Sequence, residues 1–390
     1  MENAGLSYVD HVALSVILPT ESNPMSFDTM VASYASARRV RKQLSKEVRR
    51  RSTPRGIASF AFCFAVYLLA FTGFLLLPWW WAKAICSIAL GLAIAQLFHV
   101  GHDAGHGVLT TNSTLNVWLG RVAFLPLLHA FNLWDANHNQ LHHIYTNFAP
   151  LDRFWAPLSR KEYDELSPLH RFAQRMYRSG WGSGVYYLNI WRQFLLVPNP
   201  LLQDKIKSTL DTWLVFGFGS VQILLLIWVP NWLADVTGWP VMPWWVSILG
   251  GLVVPMLIWS WLLGTATYLQ HNHPSIAWYS KFEEWSFYRG QVGSTVHIKL
   301  PAFWRLLTWN LMEHTAHHVD VGISFAKLND AQQLLQKAYG EHITADALSW
   351  GSFLDTLRRC KLYDYENHRW LDFDGNSTIA GTNLRVPEQP

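Results

Sequence analysis

Eight of the chain's 17 histidines fall into three tight groups. These are His102-Asp103-Ala104-Gly105-His106, His138-Asn139-Gln140-Leu141-His142-His143 and His314-Thr315-Ala316-His317-His318. With 17 His in 390 positions, a pattern of three fixed histidines arises by chance roughly 0.03 times per chain, so two such patterns and a His pair are not accidental. On a helix, residues three or four apart share a face. His102 can therefore point where His106 points, His138 with His142, and His314 with His317 or His318. So many imidazoles would repel one another as cations, whereas as neutral nitrogen donors they are metal ligands. A closed structural zinc site takes four ligands, so eight or nine histidines imply two metals. Imidazole suits iron, copper, zinc and nickel alike. No Glu has a His three residues later, which separates the pattern from the Glu-x-x-His sites of soluble di-iron bundles. Cys63, Cys86 and Cys360 are scattered singly and offer neither a disulfide framework nor a thiolate metal site.

The elements that must position these residues are apolar. The chain is 50% hydrophobic and 15% charged, against roughly 25% charged in soluble domains. Four runs, 57–81, 84–100, 213–232 and 244–269, approach or exceed the roughly 20 apolar residues that cross a bilayer as a helix. Nine Lys and Arg lie between Arg38 and Arg55 against Glu47 alone, while the connection after the first run has only Lys83 and residues 230–243 have only Asp235. The positive-inside rule then places both termini and the segment 101–211 in the cytoplasm. Trp79, Trp80, Trp81, Trp232, Trp239, Trp244 and Trp245 form an aromatic belt on the far side. The segment Leu115–Leu128 is too short to span and is expected at the interface or as a re-entrant piece. The short apolar run Val12–Pro19 follows no basic residue and does not read as a signal peptide, and Val386–Pro390 carries no prenylation signal.

The three boxes, their order and their relation to two membrane hairpins resemble the membrane fatty acid desaturase and hydroxylase superfamily. The segment Thr267-Tyr268-Leu269-Gln270-His271-Asn272-His273-Pro274, followed by Glu313-His314-Thr315-Ala316-His317-His318, is most similar to the acyl-lipid omega-6 (delta-12) and omega-3 desaturases. The likeness covers roughly residues 55 to 345 and is specific at the boxes. Ala104 stands where that branch often has Cys, and Gly107 follows the second His of the first box. The resemblance implies an all-α integral membrane fold of four transmembrane helices in two hairpins, with a cytoplasmic helical cap holding a di-iron site. The expected organisation is a basic cytoplasmic segment 1–56, a desaturase domain 57–345 and a cytoplasmic tail 346–390, loosely ordered after Gly375. His102, His106, His138, His142, His143, His314, His317 and His318 carry over as ligands, with His271 as the ninth and His273 its competitor. Asp103, Asp152 and Asn310 are candidates to orient the ligands, since a ligating His usually donates its other N–H, with a cap or turn role as the ordinary alternative.

The implied chemistry is O2-dependent formation of a double bond in a lipid acyl chain, with two iron ions and electrons from an external donor, ferredoxin or a b-type cytochrome. Hydroxylation, acetylenic bond formation or decarboxylation of the same acyl substrate are the neighbouring outcomes. A carotenoid hydroxylase or ketolase, and a metal transporter, are the more distant ones. Trp134, Trp191 and Tyr268 are candidate walls for an acyl chain, with core packing as the alternative. His99 shares a helical face with His102, and His129 and His297 lie near the boxes in sequence only. His11, His170, His342 and His368 read as surface residues. The basic segment reads as a topology signal and a place for anionic head groups or an acidic redox partner, rather than as a nucleic-acid patch.

Overall fold

The computed structural model describes residues 27–197 and 205–379. The expectations for His11, Val12–Pro19 and Val386–Pro390 fall outside them. Two compact units emerge. One gathers the chain up to Arg50, Asn137–Gly182 and everything from Thr265 on, and the other comprises Arg51–Ala136 and Ser183–Gly264.

The second unit holds most of the apolar helices. Among the described residues, four helices are long and apolar enough to cross a membrane: Thr53–Leu76, Trp80–Gly105, Thr209–Thr237 and Trp244–His271. The apolar run expected over 57–81 is broken, because Pro78 cannot continue a helix and disfavours helical backbone at the residue before it. The second helix begins at Trp80 and runs through the first histidine box. Lys83 is buried, and its ammonium donates to the carbonyls of Phe74 and Leu75. Its charge therefore satisfies the open C-terminal end of the first helix, where a cation is favoured. Trp79, Trp80, Trp81, Trp232, Trp244 and Trp245 are all exposed. Ser113–Phe124 is a short helix capped by the Asn112 side chain, which accepts from the Leu115 N–H.

The first unit is a mixed cap. Its helices include Phe27–Arg41, Pro168–Tyr177, His314–Val319, Leu328–Tyr339 and Trp350–Arg359. The all-α expectation is corrected here by two small sheets. Strand β1 (Val296–Lys299) pairs in parallel with β2 (Thr344–Ala347), and β3 (Leu362–Asp364) pairs antiparallel with β4 (Arg369–Leu371). Val296 and Ile298 point inward to Ile276, and His297 and Lys299 outward, the period-two alternation of a half-buried strand. The stretch 346–379 is thus structured: Trp370 is fully buried and its indole donates to the Ile276 carbonyl.

Candidate metal centre

Within the first unit, His142, His271, His314 and His318 form one group, all buried, with one ring nitrogen each within 4.8 Å of the others. His138, His143 and His317 form a second within the same limit. The second box does not divide as an α-helix would. Residues 138–142 form a π-turn, closed by the His143 N–H on the His138 carbonyl. A π-turn brings i and i+5 together, so the Nε2 atoms of His138 and His143 lie 2.9 Å apart and His142 turns to the other group. The third box divides in an α-helix: His314 and His318, four apart, face one group and His317 the other.

The ring protons are placed by neighbours. His142 donates Nδ1–H to Asp152 Oδ1 at 3.0 Å. The other Asp152 oxygen accepts from the Asn147 N–H at 2.9 Å. His271 Nδ1 donates to Asn147 Oδ1 at 3.2 Å, while the Asn147 amide nitrogen donates to the Ala277 carbonyl and so fixes which end is oxygen. Asn147 takes φ +56, a conformation Asn tolerates better than most residues. His318 Nδ1 lies 3.0 Å from Gln291 Oε1 and 2.9 Å from Thr146 Oγ1, and the Gln291 amide nitrogen donates to the His143 carbonyl. With Nδ1 protonated in each, Nε2 is a lone-pair donor. Burial first, then His314, His142, His271 and His317 around it, hold His318 well below the ordinary imidazole pKa, so it stays neutral.

This donor set fits a metal. His318 Nε2 is buried without a hydrogen-bond partner. The Nε2 atoms of His271 and His314 lie 2.8 Å apart, and His143 Nε2 is 3.1 Å from His317 Nε2. Imidazole nitrogens so close together in a buried site are spaced to share one bound cation. Both groups are purely imidazole, which suits iron, copper, zinc or nickel.

In the second unit, His102 and His106 end the second apolar helix with Nε2 atoms 3.3 Å apart. Both rings pack edge-on to Trp134. Gly105 permits this, because a Cβ there would meet the Trp134 ring at 2.4 Å. Gly101 likewise admits Phe124, at 2.2 Å from such a Cβ. Asp103 is buried, with Oδ1 3.9 Å from His102 Nδ1.

Other expected residues sit elsewhere. The side chain of His273 accepts from the Ser275 N–H and lies 3.7 Å from Asp346, so His271 and not His273 joins the group. Asn310 donates to the Phe325 carbonyl, and its place is a turn at φ +55. Tyr268 donates to the Cys360 carbonyl and Trp191 to the Leu128 carbonyl. His129 is buried against Tyr187. His297 is near the third box in space as well as in sequence, 2.6 Å from Glu313. His342 bonds Tyr288, and His368 lies 3.2 Å from the Trp278 carbonyl, so neither is a bare surface residue. His170 is exposed as expected. Two of the N-terminal arginines are structural. Arg41 donates to the Val319 carbonyl and Arg49 to Asp320 Oδ2 at 2.7 Å, both at the C-terminal end of the third-box helix. Gln291, Thr146, Asn147 and these arginines carry no motif that announces them.

Residues 78–349 match the fatty acid desaturase family model. The sn-1 oleoyl-lipid 12-desaturase of Synechocystis sp. (strain ATCC 27184 / PCC 6803 / Kazusa) is 26% identical over 328 residues, covering 84% of this chain and 88% of the relative. Its namesake in Picosynechococcus sp. (strain ATCC 27264 / PCC 7002 / PR-6) is 28% identical, covering 81% and 84%. The chloroplastic omega-6 fatty acid desaturase of Spinacia oleracea is 25% identical, covering 84% and 68%. An apolar four-helix framework carrying clustered histidines is the frame of a membrane oxidoreductase. The chain belongs to the fatty acid desaturase family, and omega-6 desaturases are among the relatives it is similar to. It is a membrane enzyme of lipid metabolism that introduces double bonds into fatty acyl chains.

Proposed function

We propose that this enzyme inserts a second double bond into an oleoyl chain of a membrane lipid at a di-iron centre on the cytoplasmic face. The all-imidazole donor set carries this reading. In it, His142, His271, His314 and His318 would hold one iron and His138, His143 and His317 a second, while His102 and His106 join the ligand set on the resemblance of the first box. When bound, the iron pair supplies an oxidant able to break unactivated C–H bonds, O2 being reduced to two waters with two electrons from the substrate and two from a donor. The protein residues do the rest. Asp152, Asn147 and Gln291 hold the ring protons on Nδ1, which keeps Nε2 free as donor and fixes each ring's orientation. The apolar packing of Phe98, Phe124 and Trp134 beside His102 keeps water from that end of the site. Asp103 is a candidate to orient the first box. His273 and Asn310 are left as structural residues.

The four apolar helices are read as two hairpins with both termini in the cytoplasm, on the charge asymmetry of the sequence. The bond position is taken from the Synechocystis and Picosynechococcus relatives, both oleoyl-lipid 12-desaturases. The chain has no Cys cluster and no Gly-x-Gly-x-x-Gly fingerprint, so a separate ferredoxin or b-type cytochrome supplies the electrons. Exposed cations such as Arg38, Arg39 and Arg50 would steer an acidic donor. The test is turnover of oleoyl lipid by purified membranes with added reduced donor. A dienoic product formed only with donor, and slowed by salt at limiting donor, supports the reading. A hydroxylated product, or full turnover with NAD(P)H and no partner protein, would refute it.

A further inference from the structure

Beside the third box, within the first unit, lies a cavity of about 260 Å³ lined by polar side chains from four elements. His297 and Lys299 come from the outward face of β1, Arg305 from helix Ala302–Leu307, and Glu313 immediately precedes His314. Asn329 and Gln332 come from helix Leu328–Tyr339, where residues 329, 332, 333 and 336 share one face at helical spacing. Leu300 is the one apolar side chain of the lining, and the hollow opens to the surface.

Its unmatched groups include two obligate donors, with Gln336 Oε1 an unmatched acceptor. Glu313, 2% exposed, is already satisfied: one oxygen lies 2.6 Å from His297 and the other 3.7 Å from Arg305. Gln332 is also 2% exposed, and its oxygen accepts from the Ala316 N–H of the third-box helix. That bond fixes the amide orientation and leaves Nε2, which always donates, buried without a partner. Arg305 Nε, another obligate donor, is buried and unpartnered as well. Lys299 adds an exposed ammonium at the same wall. Buried donors without acceptors are costly, and two such donors beside a lysine call for an anion with several oxygens.

The surroundings say where that anion comes from. Phe303, Trp304 and Leu307, on the same short helix as Arg305, are 65%, 54% and 42% exposed. Leu348, whose N–H donates to the Lys299 carbonyl, is 52% exposed, and Trp350 just beyond it 76%. Exposed Trp and Phe interleaved with cations are the signature of a surface that rests in the headgroup layer of a bilayer.

We infer that this cavity binds the phosphodiester headgroup of an anionic membrane lipid, held by Lys299, Arg305 and Gln332 while the flanking aromatic residues enter the bilayer surface. Through the Gln332–Ala316 bond the site reaches the helix that carries His314, His317 and His318, so lipid occupancy stiffens the third box.

The experiment uses full-length protein in neutral detergent and radiolabelled dioleoylphosphatidylglycerol, with dioleoylglycerol and inorganic phosphate as competitors. About one phosphatidylglycerol should be retained per chain, weakly displaced by phosphate and not by dioleoylglycerol. Lys299→Glu should weaken retention about tenfold or more, and Arg305→Gln should do likewise, with elution profile and metal content monitored to report folding. Trp304→Ser should weaken lipid retention without changing phosphate binding. Equal competition by dioleoylglycerol, or wild-type retention in both charge variants, would overturn the site. Phosphate binding as tight as the lipid and insensitive to Trp304→Ser would overturn the lipid as its source.

Discussion

Replacing Asp152 by Asn keeps size and shape but leaves one acceptor oxygen where the site uses two. Asp152 is fully buried and receives the His142 Nδ1–H at 3.0 Å and the Phe154 N–H at 3.2 Å on one oxygen, and the Asn147 N–H at 2.9 Å on the other. The new NH2 must face one of these sides. Facing Asn147, it sets two donors against each other. Facing His142, it donates to Nδ1 and drives the ring proton to Nε2, the atom needed for ligation. Losing an oriented partner of this kind costs roughly 10- to 100-fold in metal affinity. Losing a charge-assisted hydrogen bond costs about 1.5–3 kcal/mol of stability. Because Asn147 also holds His271, both rings are affected together. The assay is iron retained per chain against increasing chelator, with circular dichroism confirming the helical content. Asp152→Asn should release iron at 10- to 100-fold lower chelator than wild type. An unchanged titration would show that Asp152 does not set the His142 tautomer, and the reasoning would fail.

Gln291→Leu removes the acceptor for His318 and the donor to the His143 carbonyl, one contact in each histidine group. Iron retention should fall by about 10- to 100-fold, measured as above, whereas an unchanged value would make Gln291 mere packing. Gly105→Ala forces a methyl against Trp134 at 2.4 Å; overpacking of about 1–3 kcal/mol should lower the unfolding temperature and the activity together, and a wild-type melting curve would contradict it. His129 donates Nδ1–H to the Leu127 carbonyl and takes the Tyr187 hydroxyl on Nε2, and burial pushes its pKa down to about 4 against the smaller opposing effect of the Leu127 carbonyl. With the folded value below the unfolded one, the stability present above about pH 6.5 should be lost as pH falls from there toward 4, at up to about 1.4 kcal/mol per pH unit. In His129→Gln, unfolding temperatures across that window should flatten; an equally steep profile would move the pH dependence elsewhere.

Much of this was legible in the residues. Four apolar runs gave four helices, and the three boxes plus His271 hold every histidine that the first unit groups for a metal. What stayed hidden depends on backbone detail or distant partners. The i,i+4 rule joins His138 to His142, but a π-turn joins His138 to His143, and no local residue type distinguishes the two. Gln291 lies 27 residues before His318 and 148 after His143, a separation with no periodicity to read. Arg41 and Arg49 were buried in a basic run whose simplest meaning is topology, yet they cap the third-box helix. Lys83 similarly looks like a loop cation and is a helix cap. The two small sheets escaped because strands of three or four residues leave too short an alternation to stand out.

In the proposed centre nine imidazoles hold two irons that oxidise an acyl chain. Metal analysis with Mössbauer spectroscopy on purified, catalytically active protein tests it most directly. Two irons per chain should appear as a coupled pair, lost in step with activity in His318→Ala. One metal per chain, or full activity with stoichiometric zinc and no iron, would contradict it.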